Sequence, residues 1–260
     1  MKTPLLLSSL LLLVSCGSSG TLPQSQTTEP AISHGPILGR ISSDGVGIWA
    51  RTSRTGSFMV RYGTTPDAMN QLSDTVQTTL DRDNTGWVHI TGLKAATKYF
   101  YEVVTPGKDS PGIGGSFHTL PTGKTTHDTE HNPDGLFNVR FEFACGNNQG
   151  LSGSVLGPSM PTYGTMLDHF HRREVPSRVD FAILNGDFIY EEKRDYSPDQ
   201  WLEQTGADSL PRTVELAPNL VGVWENYKLY LDRGENLAAW HRVIPSFFTF
   251  DDHEILNDVY

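Results

Sequence analysis

The 260-residue sequence is short of positive charge. Its 20 lysines and arginines face 30 aspartates and glutamates, which gives a formal net charge of −10, and no run of basic residues occurs. Because such a chain would repel nucleic-acid phosphates, no nucleic-acid partner is expected. An acidic protein that handles phosphate esters needs local cations, and metal ions could supply them.

Long apolar runs are also scarce. The run Leu5–Val14, which follows Lys2, is too short to span a bilayer and has the layout of an export signal. "LVSC", Leu13–Cys16, resembles the lipobox of bacterial lipoproteins, in which the cysteine becomes the lipidated first residue of the mature protein. An ordinary signal peptide cleaved slightly further on is the alternative, but the small polar residues directly after Cys16 favour the lipoprotein.

These features predict the fate of the N-terminal segment. We expect residues 1–16 to be a lipoprotein signal peptide and residues 17–34, rich in Gly, Ser, Thr, Gln and Pro, to be a flexible tether. The protein is then exported and anchored through lipidated Cys16 to a bacterial membrane, in the periplasm or at the cell surface.

Cysteine occurs only twice, at Cys16 and Cys145. With Cys16 lipidated, Cys145 would be a free thiol in an oxidising compartment, without a partner for a disulfide. Such a residue is either buried and inert or does chemistry as a thiolate.

Residues 35–121 form short segments of alternating polarity, separated by Gly, Pro, Asp and Asn. Evenly spaced short strands of this kind indicate a β-sandwich. The segment "GLKAATKYFYEV", Gly92–Val103, resembles the Gly-Leu-x-x-x-Thr-x-Tyr-x-Tyr segment of fibronectin type III domains, where a tyrosine fixes the turn into a late strand. This resemblance predicts the fold and is silent on function.

Residues 122–136 separate the two halves of the chain. His127 and His131 are four residues apart, a spacing that would place two ligands on one face of a helix. Because the stretch is polar and Pro133 follows closely, a helix is not expected. We interpret the stretch as a linker rather than a metal site.

Residues 137–260 change period and alternate strands with helices, which predicts a layered α/β domain. The run Val179–Leu184 is almost unbroken in its apolar character, as is typical of a strand covered on both faces. The other predicted elements are a strand ending before Cys145, helices in Tyr163–Glu174 and Gly222–Pro245, and a last strand Ser246–Phe250.

Chemistry-bearing residues follow the ends of these strands: Cys145 after the first, Asp187 and Tyr190 after the second, Asp252 and His253 after the last. In a parallel or mixed sheet such ends converge. Thiolate, carboxylates, phenolate and imidazole together form a metal-ligand set rather than a hydrolytic triad. Neither Gly-x-Ser-x-Gly nor Gly-x-x-x-x-Gly-Lys occurs to compete with it. For the last cluster, a solvated turn in which Asp252 caps a following helix is the alternative.

Two motifs carry a resemblance to a known family. "GDFIYE", Gly186–Glu191, and "DDHE", Asp251–Glu254, resemble the signatures of the alkaline phosphatase D family, which are metallophosphatases preceded by a fibronectin-like domain. The resemblance covers everything from about Gly35 to the end. It implies a β-sandwich (fibronectin III/Ig-like) followed by an incomplete α/β metallophosphatase domain of the layered α/β/β/α type.

The resemblance implies a phosphoric ester hydrolase, of the alkaline phosphatase or phosphodiesterase type, that uses a dinuclear metal-bound hydroxide as nucleophile. By position, Asp187 would bridge the two metals, and Tyr190 and Cys145 would bind ferric iron. Asp252 would bind calcium, and His253 would contact the phosphate and assist the leaving oxygen. Oxygen ligands suit Ca²⁺, and a phenolate with a thiolate suits a trivalent iron.

Two departures from the family pattern bear on this assignment. The family shows Ala-Ser-Cys where this sequence has "FACGNN", Phe143–Asn148, and its remaining metal ligands lie beyond the Asp-Asp-His-Glu motif. The chain is therefore expected to be cut partway through the catalytic domain and to be a poor phosphatase as it stands. The alternative function is a lipid-anchored fibronectin-like binding module with an inactive phosphatase remnant.

Overall fold

The computed structural model describes residues 30–107, 112–147, 160–172, 179–255 and 258. The predictions for the signal peptide, the lipidated Cys16 and most of the tether lie outside these residues, and the predicted domain boundaries stay predictions. Among the described residues, no helix combines the length and apolar character needed to cross a bilayer.

The first half of the described chain is a sandwich of two antiparallel sheets. One sheet has the strand order β1-β2-β6, and the other has the order β4-β3-β7-β8 with β5 paired to β3. The strands are β1 (Ile32–Gly39), β2 (Val46–Thr52), β3 (Gly56–Gly63), β4 (Gln71–Leu72), β5 (Val76–Thr78), β6 (Thr85–Ile90), β7 (Lys98–Val104) and β8 (Ile113–His118).

Strand β7 shows why this segment folds as predicted. Tyr99, Tyr101 and Val103 alternate with half-buried residues and point into the core between the sheets. The Tyr99 hydroxyl accepts a hydrogen bond from the Lys94 backbone N–H at 3.0 Å, which fixes the turn into the strand. The predicted tyrosine anchor of this segment is confirmed.

The predicted linker contains a single helical turn, α1 (Gly123–Thr126). The prediction that no helix forms here is wrong, because Thr122 and Thr125 form a reciprocal capping box that stabilises one turn. His127 lies beyond the end of that turn and donates to the Pro133 carbonyl at 2.9 Å, while His131 contacts Asp128 at 3.2 Å. The two histidines therefore do not share a helical face.

The second half is built around a parallel sheet with the order β11-β10-β9. Its elements are β9 (Phe141–Ala144), α2 (Pro161–Arg172), β10 (Phe181–Asn185), α3 (Pro198–Thr205), α4 (Arg212–Leu216), α5 (Leu220–Arg233), α6 (Glu235–His241) and β11 (Ser246–Thr249). The three predicted strands and the predicted helices are confirmed.

The two faces of this sheet differ. Ala182 and Leu184 of β10 are buried in a core with α2, α5 and α6. On the other face, Phe143 and Phe247, which flank Ile183, are 62% and 40% exposed. The prediction that β10 is covered on both faces is wrong for the described residues, since the helices pack on one face and alternate side chains point to the other.

The two halves of the chain contact each other closely. The Tyr101 hydroxyl of β7 donates to the Arg242 carbonyl at 3.0 Å, just after α6. Gly115 of β8 lies so close that a Cβ atom there would be 2.3 Å from the same carbonyl oxygen. The sandwich therefore packs against the end of α6, which belongs to the helical layer on one face of the parallel sheet.

Candidate metal centre

Backbone hydrogen bonds join the loops that follow two of the three parallel strands, β9 and β10. The Gly146 N–H after β9 donates to the Gly186 carbonyl after β10 at 3.3 Å, and the Asn147 N–H donates to the Asp187 carbonyl at 2.8 Å. The predicted convergence of the strand ends is therefore observed for the described residues.

Gly186 allows the loops after β10 and β11 to meet. Its φ is +78°, a region that favours glycine, and a Cβ atom there would lie 2.5 Å from Cβ of Asp251. The sequence "NGD" thus places Gly186, the residue before Asp187, directly beside Asp251, the first residue of the "DDHE" segment.

Asp187 has one satisfied and one unsatisfied carboxylate oxygen. Oδ2 accepts a hydrogen bond from the Tyr190 hydroxyl at 3.2 Å. Oδ1 is buried and finds no hydrogen-bond partner among the described residues. Since a buried carboxylate oxygen is costly without a partner, this atom points to a missing cation or donor. The residue itself has a left-handed φ of 51°.

Helix α5 holds the backbone of Tyr190 in place. Its backbone N–H donates to the Tyr230 hydroxyl at 3.1 Å, and its carbonyl accepts from the Asn226 amide. Burial, followed by the neighbouring Asp187 carboxylate, raises the pKa of Tyr190 to about 12. The phenol is therefore protonated at neutral pH unless a cation stabilises its anion.

Asp252 and His253 complete the cluster on a 3-10 turn, Asp252–Glu254. One ligand atom from each of Asp187, Asp252 and His253 lies within 4.8 Å of the others, which is a spacing that could hold one metal ion. The Asp258 backbone N–H donates to Asp252 and lowers the pKa of its carboxyl group. Asp251, not Asp252, caps the turn, so the capping alternative for Asp252 is wrong.

His253 packs against the ring of Tyr190, with 4.1 Å between the ring centroids. Its Nδ1 atom lies 2.9 Å from both oxygens of Glu191. Desolvation lowers the pKa of His253, but the hydrogen bond and charge of Glu191 outweigh it, and the pKa is raised. Glu191 therefore fixes the orientation of the imidazole and favours its protonated form.

Cys145 lies at the predicted strand end but is exposed and free. It is outside the group of Asp187, Asp252 and His253. The Tyr190 hydroxyl lies near the same loop, 3.2 Å from a Cβ placed on Gly146. The structure thus brings four of the five predicted residues, Asp187, Tyr190, Asp252 and His253, into one cluster and leaves the exposed thiol of Cys145 at its rim.

Sequence reasoning missed Glu191 and Glu254. Both are the last residue of a quoted motif, "GDFIYE" and "DDHE", and an acid adjacent to a predicted ligand is the signal that could have found them. Glu254 is buried and accepts backbone N–H groups from the loop after β10.

The site is a cluster of carboxylates and a histidine at the carboxyl ends of a parallel sheet, and a fibronectin-like sandwich precedes it in the chain. This combination defines a candidate metallohydrolase. The family model for the N-terminal domain of PhoD-like phosphatases matches residues 16–121, and the model for PhoD-like phosphatase matches residues 141–260. The chain belongs to the PhoD-like phosphatase family. The predicted resemblance and the predicted fold class are confirmed.

A solved structure of PhoD agrees with this fold. A structure of PhoD is 19% identical with a TM-score of 0.56, and the match covers 88% of this chain and 41% of that one. The chain thus spans less than half the length of that relative. The sensor domain of the anti-sigma factor RsgI4 from Pseudobacteroides cellulosolvens is 19% identical over 36% of this chain and 95% of that one, with a TM-score of 0.28. A human fibronectin type III domain is 16% identical over 38% and 79%, with a TM-score of 0.27. No curated protein matches the chain significantly.

Proposed function

We propose that the described cluster is part of the active site of a metal-dependent phosphoric ester hydrolase. Family membership supports the reaction class. The observation that carries the proposal is Oδ1 of Asp187, which is buried beside Asp252 and His253 and has no hydrogen-bond partner in the described part of the chain. A cation at this position would satisfy that oxygen and draw the three ligand atoms together.

The donor set fits two different metal ions. Tyr190, with Cys145 at the rim, would bind ferric iron, Asp252 would bind calcium, and Asp187 would contact both. When bound, such a pair of ions activates the attacking water and neutralises charge that develops on the phosphoryl oxygens.

The residues of this chain supply the remaining steps. His253, held by Glu191 at 2.9 Å, would contact the phosphate and donate a proton to the leaving oxygen. Its raised pKa favours the protonated form that this step requires. Tyr230 and Asn226 keep Tyr190 in place through its backbone, so that its hydroxyl stays beside Asp187.

The proposal is tested with the full 260-residue chain and its Asp187→Ala variant. Binding of Ca²⁺ and of iron is measured by calorimetry and metal analysis, and hydrolysis is measured with p-nitrophenyl phosphate and bis-p-nitrophenyl phosphate. We expect metal binding that Asp187→Ala weakens. The exposed Asp134 provides a matched control, and Asp134→Ala should change nothing.

The turnover assay separates this function from the alternative of a binding module. A metal-dependent rate that disappears in Asp187→Ala supports the hydrolase, even when that rate is small. Metal binding without any hydrolysis of either ester favours a module with an inactive phosphatase remnant. Metal affinity that Asp187→Ala leaves unchanged contradicts the proposed centre.

A further inference from the structure

Glu254 joins the loop after β11 to the loop after β10. Its carboxylate is 4% exposed, and it accepts backbone N–H groups from Asp187 at 3.1 Å, from Asp251 at 2.8 Å, and from Phe188. We propose that Glu254 is a positioning residue that holds Asp187 in its left-handed backbone conformation and so aims the Asp187 carboxylate at the metal centre. This inference rests on the proposed function of that centre.

The turn at Asp187 needs such a support. A φ of 51° is strained for most residues with a Cβ atom and is tolerated better by aspartate, so contacts that hold this conformation stabilise the turn. The N–H groups of Asp187 and Phe188 lie beyond Asn185, the last residue of β10, and so outside the pairs that this strand forms with β9 and β11. Phe188 is itself buried, so its N–H would be costly to leave unpaired. Glu254 satisfies both groups.

The arrangement requires a carboxylate. Oε1 accepts from Phe188, and Oε2 accepts from both Asp187 and Asp251, so both oxygens act only as acceptors. A glutamine has one acceptor oxygen and one NH₂ donor, and in either orientation its NH₂ faces a backbone N–H. Aspartate is one methylene shorter and cannot reach all three donors. Hydrogen bonds to an ionised carboxylate are also stronger than those to an amide.

The position of Glu254 links two parts of the predicted ligand set. It directly follows His253 on the turn that also carries Asp252, and its partner Phe188 lies 66 residues earlier in the chain. Loss of this contact would therefore shift Asp187 relative to Asp252 and His253. Outer contacts that orient metal ligands typically change metal affinity by about 10–100-fold.

The test uses the full 260-residue chain as wild type, Glu254→Gln and Glu254→Asp. Glu215→Gln is the matched control, because Glu215 is a glutamate on the surface of α4 paired with Arg212. Two quantities are measured: Ca²⁺ affinity by calorimetry, and amide hydrogen exchange at Asp187 and Phe188 by nuclear magnetic resonance. We expect Glu254→Gln to lower Ca²⁺ affinity by about 10–100-fold and to remove exchange protection at both amides. Glu215→Gln should do neither.

The outcomes distinguish this inference from the proposed function. One outcome is that Glu254→Gln loses exchange protection at both amides while Asp187→Ala leaves Ca²⁺ binding unchanged. It would support the role of Glu254 in holding the backbone and contradict the proposed metal centre. Retained protection and unchanged affinity in Glu254→Gln, when Asp187→Ala does weaken binding, overturns the inference. If both Glu254 variants fail to fold, amide hydrogen exchange of the wild-type chain is the test. Exchange at Asp187 and Phe188 as fast as in an unstructured peptide overturns the inference, and strong protection of both amides supports it.

Discussion

Asp83 of the sandwich and Lys228 of helix α5 form a buried ion pair across the contact between the two halves of the chain, with 3.3 Å between Oδ2 and Nζ. Asp83 also receives two hydrogen bonds of 3.0 Å from the Arg51 guanidinium. Asp83 therefore contacts two buried cations, and Lys228 has a second acidic partner in Glu225. Because Lys228 lies on the helix that holds Tyr190, this pair connects the sandwich to the support of the candidate metal centre.

Substitution Asp83→Asn should strongly destabilise the fold. The amide leaves Arg51 buried without its counter-charge and removes one of the two acidic partners of Lys228, which keeps Glu225. Breaking a buried pair in this way costs about 3–5 kcal/mol. Urea unfolding measures the change. The control is Glu102→Gln, which breaks the surface pair with Arg61 and should cost no more than about 1 kcal/mol. Equal effects of the two variants would contradict the prediction.

Substitution Gly186→Ala should lower the free energy of unfolding by more than the backbone strain of a left-handed alanine accounts for. Gly206 provides the comparison, since its φ of +65° is similar but no atom lies within 4 Å of an added Cβ. Gly206→Ala should cost about 1–2 kcal/mol for backbone strain. Gly186→Ala should cost about 1–3 kcal/mol more, because its Cβ collides with Asp251. Thermal and urea unfolding of both variants would show the difference, and equal losses would exclude the collision.

His241 should make stability depend on pH. It is fully buried, and burial lowers its pKa to about 3, whereas the unfolded chain keeps the ordinary value of 6.5. Below 6.5 the unfolded state binds a proton that the folded state refuses, so stability falls as the pH drops from 6.5 towards 3. His241 alone changes the free energy of unfolding by at most about 1.4 kcal/mol per pH unit, and it contributes no pH dependence above pH 6.5.

Urea unfolding between pH 4 and pH 7 tests this prediction. His241→Asn should flatten the pH dependence, whatever its effect on absolute stability. His131→Asn serves as the control, because the His131 side chain is 77% exposed and should leave the slope unchanged. A wild-type slope that persists in His241→Asn would contradict the assignment.

Tyr190→Phe should remove the colour of an iron-loaded protein. A ferric tyrosinate absorbs visible light, and Tyr190 is the tyrosine whose hydroxyl contacts Asp187. Visible spectra of the iron-loaded chain and its variants measure this. Tyr196→Phe is the control, since Tyr196 contacts Gln204 on helix α3 instead. An unchanged band in Tyr190→Phe would exclude it as the iron ligand.

We propose that Cys16 is lipidated and anchors the protein to a bacterial membrane. The sequence "LVSC" after a short apolar run is the reason. Mass spectrometry of the mature protein from a bacterial host should find an acylated N-terminal cysteine, and Cys16→Ser should release the protein from the membrane fraction. A mature N-terminus after Gly20 without a lipid would rule out this anchor.

The strand ends of the candidate site could be predicted from sequence, because an apolar run that stops at Asp187 or Asp252 marks where a buried strand emerges. The supports of those residues could not. Glu254 and Glu191 act on atoms 66 and 62 residues away, and no sequence period records a contact over that distance. The open face of β10 was missed for a related reason, since an apolar side chain such as Ile183 does not reveal which element covers it.

The one-turn helix in the linker was missed because its capping box pairs two threonines, Thr122 and Thr125. The usual signal has a glutamate or glutamine at the second position. Local hydrogen bonds determine the conformation of this segment, and its polar composition did not reveal them.

The parallel pairing of β9, β10 and β11 also sets an order of assembly. In the sandwich, β1 pairs with β2, its immediate neighbour in the chain, so little chain entropy is lost when they meet. Phe181 of β10 pairs with Phe141, and Ala182 pairs with Ser246, so these contacts close much longer loops. Long-range pairing is slow, and we expect the sandwich to fold first and to offer a finished surface on which the parallel sheet forms. A chain emerging from the ribosome would thus remain unable to capture a cation until β11 has been synthesised and has joined its partners.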